Sequence, residues 1–264
     1  MINVAILGAG SIAQKMARTL SGMIEQGNVK ISMYAVAARD GERARLFARQ
    51  HGFQKAYGSY EELVADPAVH LVYIATPHSH HYQHMKLCLE HGKHVLCEKA
   101  FTVNEKQAEE IIGLSHQKGL YVAEAIWSRY LPSRKIIRQL IADGAIGTPH
   151  MLTANLTFPL MHVERVRKPE LAGGALLDVG IYALNFASMV FGDDIAEITS
   201  AVQMQDTGVD MQESITLVYR NGNIASLCSA VNCLGDCRGV VYGSTGVLWT
   251  DMLHNPSKIM ISSA

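Results

Sequence analysis

The segment Gly8-Ala9-Gly10-Ser11-Ile12-Ala13 constrains the fold more than any other feature of this chain. It follows directly on the apolar run from Ile2 to Leu7, and after it Ile12, Met16, Leu20 and Ile24 recur at helical spacing until Gly27. The chain therefore begins as strand, tight turn, helix. The two glycines permit that turn and let backbone N–H groups approach a pyrophosphate, while Ala13 lets helix and strand pack closely. GxGxxA alone is a weak pattern. Its position between a strand and a helix, with further alternating units behind it, points to a bound dinucleotide.

The alternation continues to residue 125. Strands are expected over 30–38, 71–75, 94–97 and 120–125, with helices between them over 41–51, from a Ser59/Glu62 capping box to about Ala65, over 81–91, and from a Thr102/Glu105 cap to near Gly119. The uninterrupted apolar run Leu71 to Ala75 is the pattern of a strand buried on both faces. Strands separated by helices imply right-handed crossovers and a doubly wound parallel sheet. After Pro132 the pattern changes to one helix over 133–143 and then strands with one polar face. Leu152, Ala154, Leu156 and Phe158 alternate with Thr153, Asn155 and Thr157. Further strands are expected over 196–203, 214–219, 223–231 and 239–242, with Asn221-Gly222 as a hairpin turn. A very apolar helix over 174–191 interrupts them. The expected organisation is an α/β dinucleotide-binding domain over 1–125 and an α+β domain over 126–264 for substrate binding and oligomerisation, its sheet mainly antiparallel.

Composition excludes several function classes. Twenty-three Lys and Arg stand against 24 Asp and Glu, and no long basic run exists, so nucleic acid and anionic membranes find no electrostatic footprint. Arg165, Arg167 and Lys168 read as a solvated loop. No apolar run approaches the roughly 18 to 20 residues of a membrane span, and the N-terminus lacks a signal-peptide pattern, so a cytoplasmic protein is expected. Five cysteines without a CxxC pair argue against a disulfide framework or a zinc ribbon.

Four further segments carry chemistry. At the end of the second strand, Ala38-Arg39 suits a ribose 2′-phosphate, while the acid Asp40 comes late for a 2′-hydroxyl, so NADP(H) is preferred over NAD(H). Glu98-Lys99 ends a parallel strand, where open α/β sheets bind ligands. Desolvation favours a neutral amine and suits a lysine there to proton transfer. Asp178 and Tyr182 stand four apart on an apolar helix, and such a carboxylate needs a cation, with Lys99 the candidate, or else fixes the helix to a backbone or an arginine. The histidines from His78 to His84 lack a carboxylate at ligand spacing, so no metal is expected, and His78 is read toward the nicotinamide or ribose.

In this order the GxGxxA, Ala38-Arg39-Asp40, Ala75-Thr76-Pro77 with His81, Glu98-Lys99, Glu124-Ala125-Ile126-Trp127-Ser128-Arg129, and Gly173-Gly174-Ala175-Leu176-Leu177-Asp178 with Tyr182 resemble the glucose-fructose oxidoreductase and inositol dehydrogenase family. The likeness covers almost the whole chain, and within the family it points to dimeric dihydrodiol dehydrogenase-like members. It implies a Rossmann domain, a second domain with an open-faced sheet through which copies associate as a homo-oligomer, and hydride exchange between nicotinamide and a secondary alcohol. By resemblance Lys99 orients the hydroxyl, Tyr182 exchanges the proton, and Asp178 orients and balances the lysine. Gly8, Gly10, Ser11, Ile12, Ala38, Arg39, Thr76, Pro77, His78, His81, Glu98, Lys99, Trp127 and Arg129 would border the cofactor. Trp127 and Phe158 would wall the substrate beside Lys99, Asp178 and Tyr182.

Two departures stand out. Ala100 replaces the family's proline after Lys99, so a special peptide geometry is not expected there. The chain also ends at Ala264, soon after Trp249, so the second domain is expected to be C-terminally incomplete. The resulting reading is an NADP(H)-dependent oxidoreductase acting on a secondary alcohol or carbonyl of a sugar, polyol or cyclic diol. A non-catalytic dinucleotide sensor and a nicotinamide-assisted glycosidase are the alternatives.

Overall fold

Successive strand residues point to opposite faces, and β1 (Ile2–Leu7) is apolar on both. Val4 and Ile6 pack with Ala13, Ala17 and Phe47, while Ala5 and Leu7 pack with Leu63, Met85 and Ile111. Burying each such Leu or Ile stabilises the fold by about 1.5–3 kcal/mol, which is why a two-sided strand must be covered by helices on both sides. The computed structural model describes residues 1–27 and 29–263; Asn28 and Ala264 lie outside the described residues. It divides into two units, Met1–Ala125 and Ile126–Ala264.

In the first unit β1 is followed by α1 (Ser11–Glu25), β2 (Ile31–Ala37), α2 (Gly41–His51), β3 (Lys55–Tyr57), α3 (Tyr60–Ala65), β4 (Leu71–Ile74), α4 (His78–Glu90), β5 (His94–Glu98), α5 (Glu105–Lys118) and β6 (Val122–Ala125). All strand pairs are parallel and the sheet order is β3-β2-β1-β4-β5-β6. The order reverses between β1 and β4, which is where such sheets open a ligand crevice. The three-residue β3 was not anticipated, being too short to show a period. Asn104, not Thr102, caps α5: its side chain accepts from the Gln107 N–H at 3.0 Å, while Thr102 donates to the Asn104 carbonyl. In the Ser59 cap only half of the expected box forms, since the Glu62 carboxylate accepts from Gly58 N–H. Helix α4 starts at His78, three residues earlier than expected, because Pro77 has the extended conformation of a capping residue.

The second unit contains α6 (Pro132–Ala142), β7 (Pro149–Thr157), α7 (Ile181–Phe191), β8 (Ile195–Met204), β9 (Asp210–Tyr219), β10 (Ile224–Ala230), β11 (Gly239–Gly243), β12 (Gly246–Thr250) and β13 (Ile259–Ser263). Its sheet runs β13-β12-β11-β7-β10-β9-β8, antiparallel except for the parallel pair β7 and β10. Strands β12 and β13 extend it beyond the expected set. Leu152, Ala154, Leu156, Ala225 and Leu227 form one buried face under Ala183, Phe186 and Ala187 of α7. Gly222, with φ of +88°, makes the expected hairpin turn between β9 and β10.

The expected helix over 174–191 runs without a break from Ala175 to Phe191, but not all of it is α-helical. Leu176–Gly180 is a single π-helical turn, and α7 begins only after it. Against the expectation that no stretch is long enough, Pro169–Phe191 passes a test of length and hydropathy for a membrane span, with a mean hydropathy of 1.5. Half of that stretch's apolar window is buried inside the second unit. Its apolarity is explained by the core it fills.

Candidate active site

The carboxyl ends of β1 and β4 meet at Gly8. Its φ is +105°, and a Cβ there would lie 2.9 Å from the Ala75 carbonyl oxygen, so both backbone conformation and close packing demand glycine. At Gly10 a Cβ would meet nothing within 4 Å. Gly10 caps α1 without any side-chain hydrogen bond, and the first turn holds no acid. The N–H groups of Ser11 and Ile12 thus open a helix whose start suits a pyrophosphate. These residues fit a dinucleotide. Arg43, which no sequence pattern marked, donates from Nε and Nη2 to the Ala9 carbonyl at 3.1 and 2.9 Å and ties α2 to this loop. Ala38 is buried and Arg39 exposed, while the Asp40 carboxylate accepts from the N–H groups of Glu42 and Arg43 as the cap of α2.

Thr76, Pro77 and His78 follow β4, and Glu98 and Lys99 end β5. Glu98 is buried, accepts from the Tyr73 hydroxyl and from the Lys99 N–H, and burial pushes its carboxyl up while Tyr73 and Lys99 oppose the shift. Lys99 is half-buried. The peptide between Lys99 and Ala100 is cis, correcting the expectation that alanine forgoes a special geometry there. The surroundings hold both sides of it: Glu98 takes the Lys99 N–H, and the Ala100 carbonyl meets Nδ1 of His81 at 2.7 Å. His81 also reaches the Thr76 carbonyl through Nε2 at 2.9 Å. Expected beside the cofactor, His81 is instead fully buried and joins the loops after β4 and β5. Burial pushes its pKa down and the two carbonyls oppose this, since only the protonated ring can donate to both. Thr76 is braced in turn by His84 at 3.0 Å. Burial, and then the charges of His80, His81 and Arg39, push His84 down to about 4.

In the second unit three separate segments gather around Tyr182, the second residue of α7. Trp127, from a 3₁₀ turn (Trp127–Tyr130), donates its indole N–H to the Tyr182 hydroxyl at 3.0 Å. Phe158 follows β7, and His254 comes from the segment between β12 and β13. The His254 ring lies 5.5 Å from Tyr182, 5.8 Å from Trp127 and 5.6 Å from Phe158. Trp127 and Phe158 were anticipated as walls; His254 was not, because nothing local distinguishes it. Asp178, in the π-helical turn, is 4% exposed and receives Nη1 and Nη2 of Arg165, each at 3.1 Å. Arg165 thus supplies a cation to this carboxylate, correcting its reading as solvated loop. Arg129 is exposed on the same 3₁₀ turn as Trp127. Among the described residues no group of three or more His, Cys, Asp or Glu could hold a metal ion.

Residues 2–125 match the profile of an oxidoreductase family with an NAD-binding Rossmann fold, and residues 135–249 match the GFO/IDH/MocA C-terminal domain. The chain belongs to the GFO/IDH/MocA family. Mouse trans-1,2-dihydrobenzene-1,2-diol dehydrogenase is 38% identical over 258 residues, 97% of this chain and 77% of that protein. The human protein of that name is 44% identical over 186 residues, 70% of this chain and 56% of the relative. Among solved structures, the 3-ketoreductase KijD10 from Actinomadura kijaniata with NADP and TDP-benzene superposes with a TM-score of 0.91 at 25% identity, covering 99% of this chain and 81% of that one. Levoglucosan dehydrogenase with NADH and levoglucosan shares the fold, with a TM-score of 0.90 at 20% identity over 100% of this chain and 76% of that one. As a GFO/IDH/MocA member the chain is an NAD(P)-dependent oxidoreductase acting on CH–OH groups. Within this family frame, Gly8, Gly10, Ser11, Ile12, Ala38 and Arg39 stand together at one edge of the Rossmann sheet, and Thr76, Pro77, His78, Glu98 and Lys99 at the ends of its next two strands.

Proposed function

We propose that this chain is an NADP(H)-dependent reductase or dehydrogenase for a secondary alcohol or carbonyl on a cyclic diol, polyol or sugar ring. The observation that carries the reading is the Tyr182 phenol, buried at the start of α7, fixed by the Trp127 N–H and walled by flat rings. A phenol oxygen fixed by an N–H donor is positioned to exchange a proton with a substrate oxygen, and flat apolar walls suit a ring-shaped substrate. The diol dehydrogenase relatives support this class. Bound nicotinamide supplies or accepts the hydride. Lys99 orients the reacting oxygen, Tyr182 moves its proton, and Asp178, balanced by Arg165, keeps the arrangement charged and aligned. NADP(H) is favoured because Asp40 is occupied as a helix cap, leaving Arg39 for a 2′-phosphate.

Copies of the chain are proposed to associate through the open face of the second unit's sheet, where Met151 and Ile224 are exposed among Thr153, Ser214 and Ser226. Five unpaired thiols, three of them buried, support a cytoplasmic setting. The test is a fluorescence titration with NADPH and NADH, followed by an absorbance screen of cyclic diols, polyols and sugars. Lys99→Ala should abolish turnover and leave NADPH binding intact. Equal loss of both would refute the role given to Lys99, and tight NADPH binding with no turnover on any alcohol or carbonyl would refute the enzyme reading.

A further inference from the structure

Arg134, the third residue of α6, is a charged side chain with only 2% of its surface exposed. A cation withdrawn from water this far destabilises a fold unless its N–H groups meet acceptors, so the acceptors it meets show why an arginine stands there. Nε donates to the Ser128 carbonyl at 3.3 Å, and Nη2 donates to the Leu253 carbonyl, 119 residues away in the chain. Both of those residues are buried. The guanidinium also lies 4.9 Å from the centre of the Phe186 ring, within range of a cation–π contact. Nη1 is buried with no acceptor among the described residues. The side chain is therefore placed for two particular carbonyls, not for saturation of its own donors.

Each contact lies one step from the pocket. Ser128 follows Trp127 in the 3₁₀ turn, Leu253 precedes His254, and Phe186 stands one helical turn after Tyr182 on the same face of α7. The three rings so flanked close on one another: Trp127 and His254 are 5.8 Å apart, Tyr182 and His254 5.5 Å, Trp127 and Tyr182 6.1 Å. The Leu253 N–H is taken by the Cys237 carbonyl at 2.6 Å, so Arg134 fixes the remaining backbone polar group of that residue. We propose that Arg134 is a positioning residue that sets the Trp127 and His254 rings around the Tyr182 phenol. It acts through those side chains from beneath them, and the inference rests on the pocket proposed above as the substrate site. Lysine would not replace it, because a single ammonium lacks the planar fork that reaches both carbonyls and stacks on Phe186.

The test compares Arg134→Met with the unsubstituted chain by two readouts: steady-state kinetics with NADPH and a cyclic ketone, and the emission of Trp127. A Trp249→Phe background leaves Trp127 as the single tryptophan. Methionine keeps apolar bulk over Phe186 and removes both donors. A reacting group displaced by about 1 Å can lose about 100-fold in rate, so kcat should fall about 10- to 100-fold with KM for NADPH unchanged. Trp127 emission should shift to the red and be quenched more readily by acrylamide. Because Arg134 acts through Trp127, Arg134→Met combined with Trp127→Phe should lower kcat by less than the product of the single effects. A lower Tm alone, with kcat and emission unchanged in the folded variant, would overturn the proposal, as would single effects that simply multiply. If Arg134→Met does not fold, Arg134→Lys decides by the same emission shift, and its absence overturns the proposal. An emission shift in Arg134→Met although no chain turns over substrate would uphold Arg134 in this role and sink the proposed function. Full turnover with unshifted emission in that variant would do the reverse.

Discussion

The indole N–H of Trp127 donates to the phenol oxygen of Tyr182 at 3.0 Å, joining the first turn of the second unit to the start of α7. Any negative charge that gathers on that oxygen during proton transfer is stabilised by this donor. Hydrogen bonds to charged partners contribute about 1.5–3 kcal/mol, so Trp127→Phe, which keeps an aromatic wall, should lower kcat by about 10- to 100-fold. NADPH affinity should not change. Steady-state kinetics beside a binding titration check this, and an unchanged kcat would remove the indole from the mechanism.

Arg165 holds both oxygens of Asp178, and only the arginine side is solvent-accessible, 45% exposed against 4%. Arg165→Met leaves a buried carboxylate without this fork. Allowing for screening at the exposed arginine, about 1–3 kcal/mol of stability should be lost, lowering Tm by several degrees. Arg165→Lys should recover only part of it, because a single ammonium cannot span both oxygens. Thermal denaturation measures the difference, and a Tm unchanged in Arg165→Met would mean that Asp178 is held by other groups.

Asp40 spends its carboxylate on two backbone N–H groups of α2, and Arg39 beside it is exposed. Arg39→Ala should weaken NADPH binding by about tenfold, the loss of one charge-assisted phosphate contact, and leave NADH binding unaltered. Parallel titrations of the two nucleotides decide it. Equal weakening of both would assign Arg39 to something other than the 2′-phosphate.

Two buried groups should tilt stability against pH in opposite senses. His84 is depressed to about 4 in the fold from an ordinary 6.5, so its contribution is full above 6.5 and is lost as pH falls toward 4. Glu213 is raised to about 8 from 4.5, so its contribution is full below 4.5 and is lost as pH rises toward 8. In Tm measured from pH 4 to 9 the two slopes oppose each other between 4.5 and 6.5, so His84→Gln should leave Tm falling as pH rises from 4.5 to about 8, and Glu213→Gln should leave it rising from about 4 to 6.5. Profiles parallel to that of the unsubstituted chain would show that neither group governs the slope.

What the sequence determined alone is the part of the molecule encoded within short spans. The glycine turn after β1, the alternation of buried strands and helices to Ala125, and the Asn221-Gly222 hairpin all depend on neighbours a few residues apart, so composition and period reveal them. The same holds for Ala38-Arg39, and for Asp178 and Tyr182, which stand out as polar groups in an apolar segment. Tertiary structure decided their partners. Arg165 lies 13 residues from Asp178 and Trp127 lies 55 from Tyr182, while His254 arrives from beyond β12 and Arg43 reaches back to Ala9. No periodicity links such pairs, because they meet only when separate elements pack. That Leu176–Gly180 winds as a π turn within the apolar helix ending at Phe191 was likewise settled by packing. Asp210 on β9 accepts the Leu176 N–H and Glu213 packs against Gly180, and β9 comes later in the chain than the turn.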